Sequence, residues 1–117
     1  MTEPLTLSID AMGGDNAPEM VIEGIEVSLD RLSGAKFLLF GDEAKLVPLL
    51  DKHPLAAKVS EIRHTDEAIT NDQKVSSALR AGRNSSMRLA INAVGSGEAA
   101  GVISAGNTGA LMAMAKF

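Results

Sequence analysis

The sequence predicts an α/β fold in which helices cover both faces of a largely parallel sheet. Segments with strand character and segments with helical character alternate about four times along the chain. One strand candidate, Phe37–Phe40, is a continuous apolar run, which is typical of a strand buried on both faces. Glycines follow several of the predicted helices, as they commonly do at helix C-termini. Together these patterns predict a three-layer α/β/α arrangement.

Four short segments are predicted as strands. The first alternates apolar and polar residues, the second is the apolar run, the third is the weakest, and the fourth leads into a glycine-rich turn. The polar stretch 64–74 is predicted as a loop. The strands are Leu5–Ile9, Phe37–Phe40, Val59–Arg63 and Ala100–Ser104.

The first helix is predicted to begin at Pro18, a residue suited to a first helical turn, with Asp15 or Asn16 as its N-cap. Apolar residues recur at helical spacing as far as Leu32, and Gly34 is expected to end the helix.

Three further helical segments are predicted from apolar spacing and flanking residues. The first contains Pro48, which should break or kink it. The last has no glycine or proline after it, which predicts a chain truncated within a helix. Their bounds are residues 41–54, Asn84 or Ser85 to Val94 with Gly95 as the stop, and Asn107 or Thr108 to the end of the chain.

Composition limits the functional classes. The 117 residues suit one domain, and 15 acidic against 11 basic residues give a net charge of −4. That charge, with three Phe and no Trp or Tyr, argues against nucleic-acid binding. The absence of cysteine excludes disulfides, thiolate metal sites and a cysteine nucleophile within these residues. No signal peptide or apolar run of membrane-spanning length is visible, so we expect a cytoplasmic protein.

Two glycine-rich turns are predicted beyond the carboxyl ends of strands, where ligands bind in such sheets. In the turn Ser104–Gly109, Gly106 lets the backbone approach a ligand, and Asn107 or Thr108 can cap the next helix. The free N–H groups and positive dipole end of a first helical turn form an anion site. The alternative is that the glycines only permit a tight turn. The pattern is neither a P-loop nor G-x-G-x-x-G.

The other turn, Asp10–Pro18, offers Asp10 and Asp15 beside two glycines and Asn16. Carboxylates at a strand end can bind a metal, accept a proton or orient a hydroxyl group. The alternative is that they cap the helix and accept hydrogen bonds from loop amides.

A third cluster combines two arginines with two serines. Arg80 and Arg83 precede Ser85 and Ser86 at a predicted helix start, so guanidinium and hydroxyl groups can bind a phosphate or a carboxylate there. The alternative is a solvated basic surface.

The motifs "SIDAMGGDNAPE", "ALRAGRNSSM" and "VISAGNTGALMA" occur in the same order in the bacterial phosphate acyltransferases of phospholipid synthesis, the family called PlsX. The chain therefore resembles that family over essentially its whole length. The resemblance implies a Rossmann-like α/β/α fold similar to phosphotransacetylases and isocitrate-dehydrogenase-like enzymes. Because the family's chains are much longer, it also implies that residues 1–117 are the N-terminal part of one catalytic domain and are inactive alone.

The resemblance further implies transfer of a fatty acyl group from acyl carrier protein to inorganic phosphate. The product, acyl phosphate, would serve a membrane glycerol-3-phosphate acyltransferase. A phosphate oxygen attacks the thioester, so no protein nucleophile, metal or other cofactor is implied. A homodimer in the cytoplasm is expected, and peripheral contact with the membrane stays open.

The family's motifs assign candidate site residues by position. Those expected to be catalytic are Asn107, Thr108 and Asp10. Those expected to bind substrate are Gly13, Gly14, Asp15, Asn16, Arg80, Ser85, Ser86, Ser104, Gly106 and Gly109.

Two positions depart from the family's pattern. Val75 stands where proline is common and should loosen the entry to the next segment, while Asn84 replaces aspartate and cannot carry a charge. Two other functions remain open: a phosphotransacetylase-like enzyme that uses acyl-coenzyme A, and a non-catalytic module that binds anions or dimerises.

Overall fold

The computed structural model describes residues 5–14, 17–29, 31, 34–69, 73–104, 106 and 108–116. Within these ranges, helices separate successive strands as the sequence predicts, but each of the last two strands is preceded by a pair of helices instead of one. No helix in the described ranges is both long and apolar enough to cross a bilayer. The elements are β1 Thr6–Asp10, α1 Glu19–Ser28, β2 Lys36–Gly41, α2 Glu43–Lys52, α3 Pro54–Val59, β3 Ser60–His64, α4 Val75–Ala81, α5 Ser86–Gly95, β4 Gly101–Ile103 and α6 Thr108–Lys116.

The four strands form one parallel sheet in the order β3-β2-β1-β4. β1 is central, and its Leu7 pairs with Phe37 of β2 on one side and with Gly101 of β4 on the other. All three pairings are parallel, so the carboxyl ends of the strands lie at one edge of the sheet.

Helices cover both faces of the sheet, which confirms the predicted layers. The side chains of β2 alternate between the two faces: Phe37 and Leu39 pack into one core, and Leu38 and Phe40 into the other. α1, α2 and α3 supply the first core, with residues such as Ile22, while α5 supplies the second. All four residues of the predicted apolar run are buried.

The first helix is shorter than predicted. It begins at Glu19 with Pro18 as its N-cap, and the two predicted cap residues, Asp15 and Asn16, lie outside the described residues. It ends at Ser28 instead of continuing toward Gly34. After it, the N–H of Leu29 donates to the Glu26 carbonyl and that of Arg31 to the Ser28 carbonyl, bonds that span three residues and tighten the chain into turns.

The predicted break at Pro48 is wrong. α2 runs without interruption through that residue, and the helical backbone is left five residues later at His53, with φ −129° and ψ 73°. Pro48 lies on the exposed side of α2, where the carbonyl deprived of its N–H partner can be hydrated. The short helix α3 then begins at Pro54, a position that suits proline.

A third small core lies under α4 and α6. It consists of Ile69, Ala78, Met87 and Met114, and it accounts for two of the chain's methionines as packing residues. Gly82 comes directly after α4 and packs tightly against this core. A Cβ there would lie 2.6 Å from Ile69 Cδ1 and 2.5 Å from the Ala78 carbonyl oxygen.

Candidate functional site

The candidate site lies at the carboxyl edge of the sheet, where β1, β4 and the start of α5 meet. Asp10 is the last residue of β1, Ser104 follows β4, and Ser86 is the first residue of α5. The two glycine turns, both predicted beyond the carboxyl ends of strands, approach one another: a Cβ on Gly13 would lie 3.0 Å from the backbone nitrogen of Gly106. Side chains that are 76 and 94 residues apart in sequence thus form one polar cluster.

The carboxylate of Asp10 is the centre of this cluster and is only 2% exposed. Its Oδ1 accepts hydrogen bonds from the Ser86 hydroxyl at 2.5 Å and from the Met12 N–H at 3.2 Å. Its Oδ2 accepts one from the Ser104 hydroxyl at 2.9 Å. Three donors from three parts of the chain therefore meet at one acidic side chain.

Glycine is required where the two turns pack against this carboxylate. A Cβ on Gly13 would lie 2.5 Å from Asp10 Oδ2, closer than a carbon atom can approach an oxygen. Gly14 has a φ of 99°, a conformation that favours glycine. A Cβ on Gly106 would be 3.2 Å from Gly13 Cα and 3.2 Å from Met87 Cε. The glycines of both predicted turns thus let the two backbones approach each other.

The turn after β4 already uses one of its amides internally. The Gly106 N–H donates to the Ser104 hydroxyl oxygen at 3.1 Å, so this group is engaged and not directed at a ligand. α6 begins two residues later at Thr108 and includes Gly109. Asn107 lies outside the described residues, as do Asp15 and Asn16 of the other turn.

The start of α5 is likewise held by internal bonds. Ser85 is the N-cap: its hydroxyl accepts from the Arg88 N–H at 3.1 Å and donates to the Gly82 carbonyl at 2.7 Å. The Ser86 N–H donates to the Glu67 carbonyl at 2.9 Å. Ser85 and Ser86 are both buried. The Ser85 hydroxyl caps the helix, and the Ser86 hydroxyl donates to Asp10.

The loop after β3 supports this helix start, which the sequence did not indicate. The Thr65 hydroxyl donates to the Asn84 carbonyl at 2.5 Å and accepts from the Glu67 N–H at 3.3 Å. A residue in a stretch predicted only as polar loop thereby fixes the segment that precedes α5. No local pattern could have revealed this contact, because Thr65 and Asn84 are 19 residues apart and the acceptor is a backbone carbonyl, which any residue provides.

Among the described residues, the hydrogen bonds of the cluster do not include the predicted arginines. Arg80 and Arg83 are exposed, and Arg80 Nε lies 3.4 Å from the Ser76 carbonyl one turn earlier in α4. Arg88, which no sequence pattern distinguished, donates to the Met114 carbonyl at 3.3 Å and so connects α5 to α6.

An apolar cavity of about 270 Å³ adjoins the cluster on the side of the sheet covered by α1. Asp10 and Ser104 are among its lining residues, so polar and apolar surfaces meet there. The remaining lining comes from the strands and α1: Ile9, Met20, Val21, Gly24, Ile25, Ser28, Phe37 and Ile103.

Outside the site, the described residues include an ion-pair cluster centred on Arg63. Hydrogen bonds from Arg63 to Glu61, and then to Glu98, raise the pKa of the Arg63 guanidinium. In the described part of the chain, no group of three or more histidine or acidic side chains is placed to hold a metal ion.

Comparison with known proteins identifies the family of this chain. A family model described as "Fatty acid synthesis protein" matches residues 5–117. The phosphate acyltransferase of Rhodospirillum centenum is 57% identical over 117 residues, which cover all of this chain and 33% of that protein. Those of Paramagnetospirillum magneticum and Rhodospirillum rubrum are 52% and 53% identical, with 33% and 34% of their lengths covered. The chain spans about a third of these relatives, and, because the family model matches nearly all of it, the chain belongs to the fatty acid synthesis protein family.

Proposed function

We propose that residues 1–117 are the N-terminal part of the catalytic domain of a phosphate acyltransferase. In this proposal the whole enzyme moves a fatty acyl group from acyl carrier protein to inorganic phosphate, and the acyl phosphate enters phospholipid synthesis. The observation that carries the proposal is 52–57% identity to phosphate acyltransferases across the entire chain. The cluster around Asp10 at the carboxyl edge of the sheet supports it, because ligands bind at this edge in parallel α/β folds.

The chemistry needs no protein nucleophile. A phosphate oxygen attacks the thioester carbonyl, a carbon–oxygen bond forms, and the carbonyl oxygen becomes an oxyanion. Collapse of this intermediate breaks the carbon–sulfur bond, and the carrier's thiolate leaves with the electron pair. The enzyme must position a phosphate anion and stabilise the oxyanion, which N–H donors at a helix start do well.

Individual roles follow from the predicted turn after β4. Asn107 and Thr108 would bind phosphate or the oxyanion through side chains and backbone N–H groups at the start of α6. Gly106 would contribute by close backbone approach, since its own N–H is bonded to Ser104. The exposed Arg80 would attract the phosphate by charge. The cavity beside Asp10 and Ser104 is consistent with binding of the donor's acyl chain, because it offers apolar surface next to the polar cluster.

Two alternatives share parts of this site. A phosphotransacetylase-like enzyme would use acyl-coenzyme A with the same attack by phosphate. A non-catalytic module would bind anions or dimerise without turnover. A homodimer, a cytoplasmic location with or without peripheral membrane contact, and delivery of product to a membrane glycerol-3-phosphate acyltransferase belong to the same proposal.

The decisive experiment measures acyl phosphate formed by a family-length protein that contains this chain. Acyl-acyl carrier protein and acyl-coenzyme A are compared as donors, each with and without inorganic phosphate, and the product is trapped with hydroxylamine. Phosphate-dependent product that favours the carrier-protein donor supports the proposal. Preference for coenzyme A would favour the first alternative, and no turnover with either donor would favour the second. The 117-residue chain, assayed in parallel, is expected to be inactive.

A further inference from the structure

The three donors around Asp10 restrict what its carboxylate can do. Both oxygens are occupied by donors within the chain, and the side chain is 2% exposed. The Gly13 backbone packs so closely on Oδ2 that even a Cβ there would lie 2.5 Å away. An acceptor-only carboxylate suits three donors, and it has little surface left for a substrate.

A continuous chain of hydrogen bonds leads from this carboxylate to the turn before α6. Because the Ser104 hydroxyl donates its proton to Asp10 Oδ2, its lone pairs are free to accept the Gly106 N–H. The orientation of one hydroxyl therefore sets where the backbone at Gly106 lies. Two residues further on, α6 begins at Thr108. On the other oxygen, Ser86 ties the same carboxylate to the start of α5.

We propose that Asp10 is a positioning residue that holds the turn before α6 through Ser104, and that it does not contact phosphate itself. The inference rests on the proposed function, because the turn is taken there as the phosphate site. A carboxylate in direct contact with phosphate would repel it. Behind Ser104 and Gly13, the same charge fixes the geometry of the donors and avoids that contact.

The first test is Asp10→Asn in the family-length protein. The amide keeps the shape of the side chain but turns one acceptor into a donor that faces other donors. We expect turnover to fall by about 10²-fold, the size associated with a displacement of about 1 Å in a reacting group. The KM for phosphate should not fall. If Asp10 contacted phosphate, removing its charge would lower that KM, which would overturn the proposal.

Ser8→Ala is the matched control. Ser8 lies two residues earlier on β1, is fully buried, and donates to the Ala90 carbonyl of α5 at 2.7 Å. Its loss removes another buried bond between β1 and α5 without touching the turn. We expect a lower melting temperature and unchanged kinetics in the folded fraction. If Asp10→Asn behaves in the same way, Asp10 has only a structural role and the proposal is wrong.

A double-mutant cycle tests the route through Ser104. If Asp10 acts through that hydroxyl, Asp10→Asn should lower turnover by much less in a Ser104→Ala background, whereas it should retain its full effect in a Ser8→Ala background. Independent effects in both backgrounds would overturn the route. Should Asp10→Asn not fold, Ser104→Ala and Ser104→Thr replace it: loss of turnover in the first with recovery in the second supports the proposal, and equal loss in both contradicts it.

Hydrogen exchange separates this inference from the proposed function, since it needs no turnover. Exchange in the peptide around Gly106 should accelerate by about 10-fold or more in Asp10→Asn and in Ser104→Ala, and stay unchanged in Ser8→Ala. An unmodified protein without acyltransferase activity would refute the proposed function alone. Unchanged exchange in both site variants would refute the positioning role whatever the activity.

Discussion

Replacing Gly13 with alanine should destabilise the protein, although alanine usually stabilises a folded chain relative to glycine. The new Cβ would lie 2.5 Å from Asp10 Oδ2 and 3.0 Å from the Gly106 nitrogen. The Gly106 nitrogen belongs to the backbone, so the side chain of Asp10 must move instead. Its 2.9 Å hydrogen bond to Ser104 is then the first to be lost.

The size of the effect follows from two opposing terms. A hydrogen bond to a charged group contributes about 1.5–3 kcal/mol. Replacing glycine by alanine returns about 0.4–1 kcal/mol, because the unfolded chain has fewer conformations to lose. The net change expected for Gly13→Ala is therefore a loss of about 0.5–2.6 kcal/mol in the free energy of unfolding.

Gly24→Ala provides the matched comparison. Gly24 lies within α1, and, apart from its chain neighbours and the backbone of its own helix, a Cβ there would meet no heavy atom of the described residues within 4 Å. Alanine should stabilise this helix by about 0.5–1 kcal/mol. Urea unfolding of the two variants and the unmodified family-length protein measures the difference. If Gly13→Ala proves as stable as Gly24→Ala, the close packing of the two turns on Asp10 is refuted.

Three further substitutions test other parts of the chain. Asn107→Ala should lower turnover by about 10²-fold if its amide donates to the oxyanion; steady-state kinetics in phosphate measure this, and a lower melting temperature with normal kinetics would contradict it. Thr65→Val keeps the side-chain shape but removes the hydroxyl bonded to the Asn84 carbonyl, so urea unfolding should show a loss of about 1–3 kcal/mol; no change would contradict the support assigned to this loop. Arg63→Gln should cost less than about 1 kcal/mol, because the ion pairs are exposed, and still less at high salt. Since the raised pKa of Arg63 lies far above neutrality, this contribution should be constant from pH 6 to about pH 9 in urea unfolding.

The layers of the fold could be predicted because local sequence determines them. The apolar run Phe37–Phe40 can be satisfied only by a strand with cores on both faces, and the structure buries all four of its residues. The ends of the helices depend on more than the local sequence pattern. α2 tolerates Pro48 on its exposed side, and α3 and α4 are short helices that are stabilised mainly by packing on their neighbours.

The residues of the candidate site could be predicted from the sequence, but the contacts between them could not. Motifs selected Asp10, Ser86 and Ser104, yet nothing in the sequence says that both hydroxyls donate to one carboxylate. Nor does it say that Ser85 is consumed as a helix cap, or that the Gly106 N–H is engaged within its own turn. These facts depend on parallel pairing across the sheet, which brings distant strand ends together only in the folded chain.

The central place of β1 has a consequence during synthesis. The residues that pair with one edge of β1, those of β2, have all been synthesised once residue 41 is added, whereas the partner of its other edge, Gly101–Ile103, is synthesised later. At roughly 5–20 residues per second, translation of the intervening 60 or so residues takes on the order of 3–12 s. During that interval the chain does not yet contain the β4 residues that pair with the second edge of β1, and Asp10 has no Ser104 to bind. A ribosome-bound chaperone that shields this edge would therefore act before the turns around Asp10 can assemble.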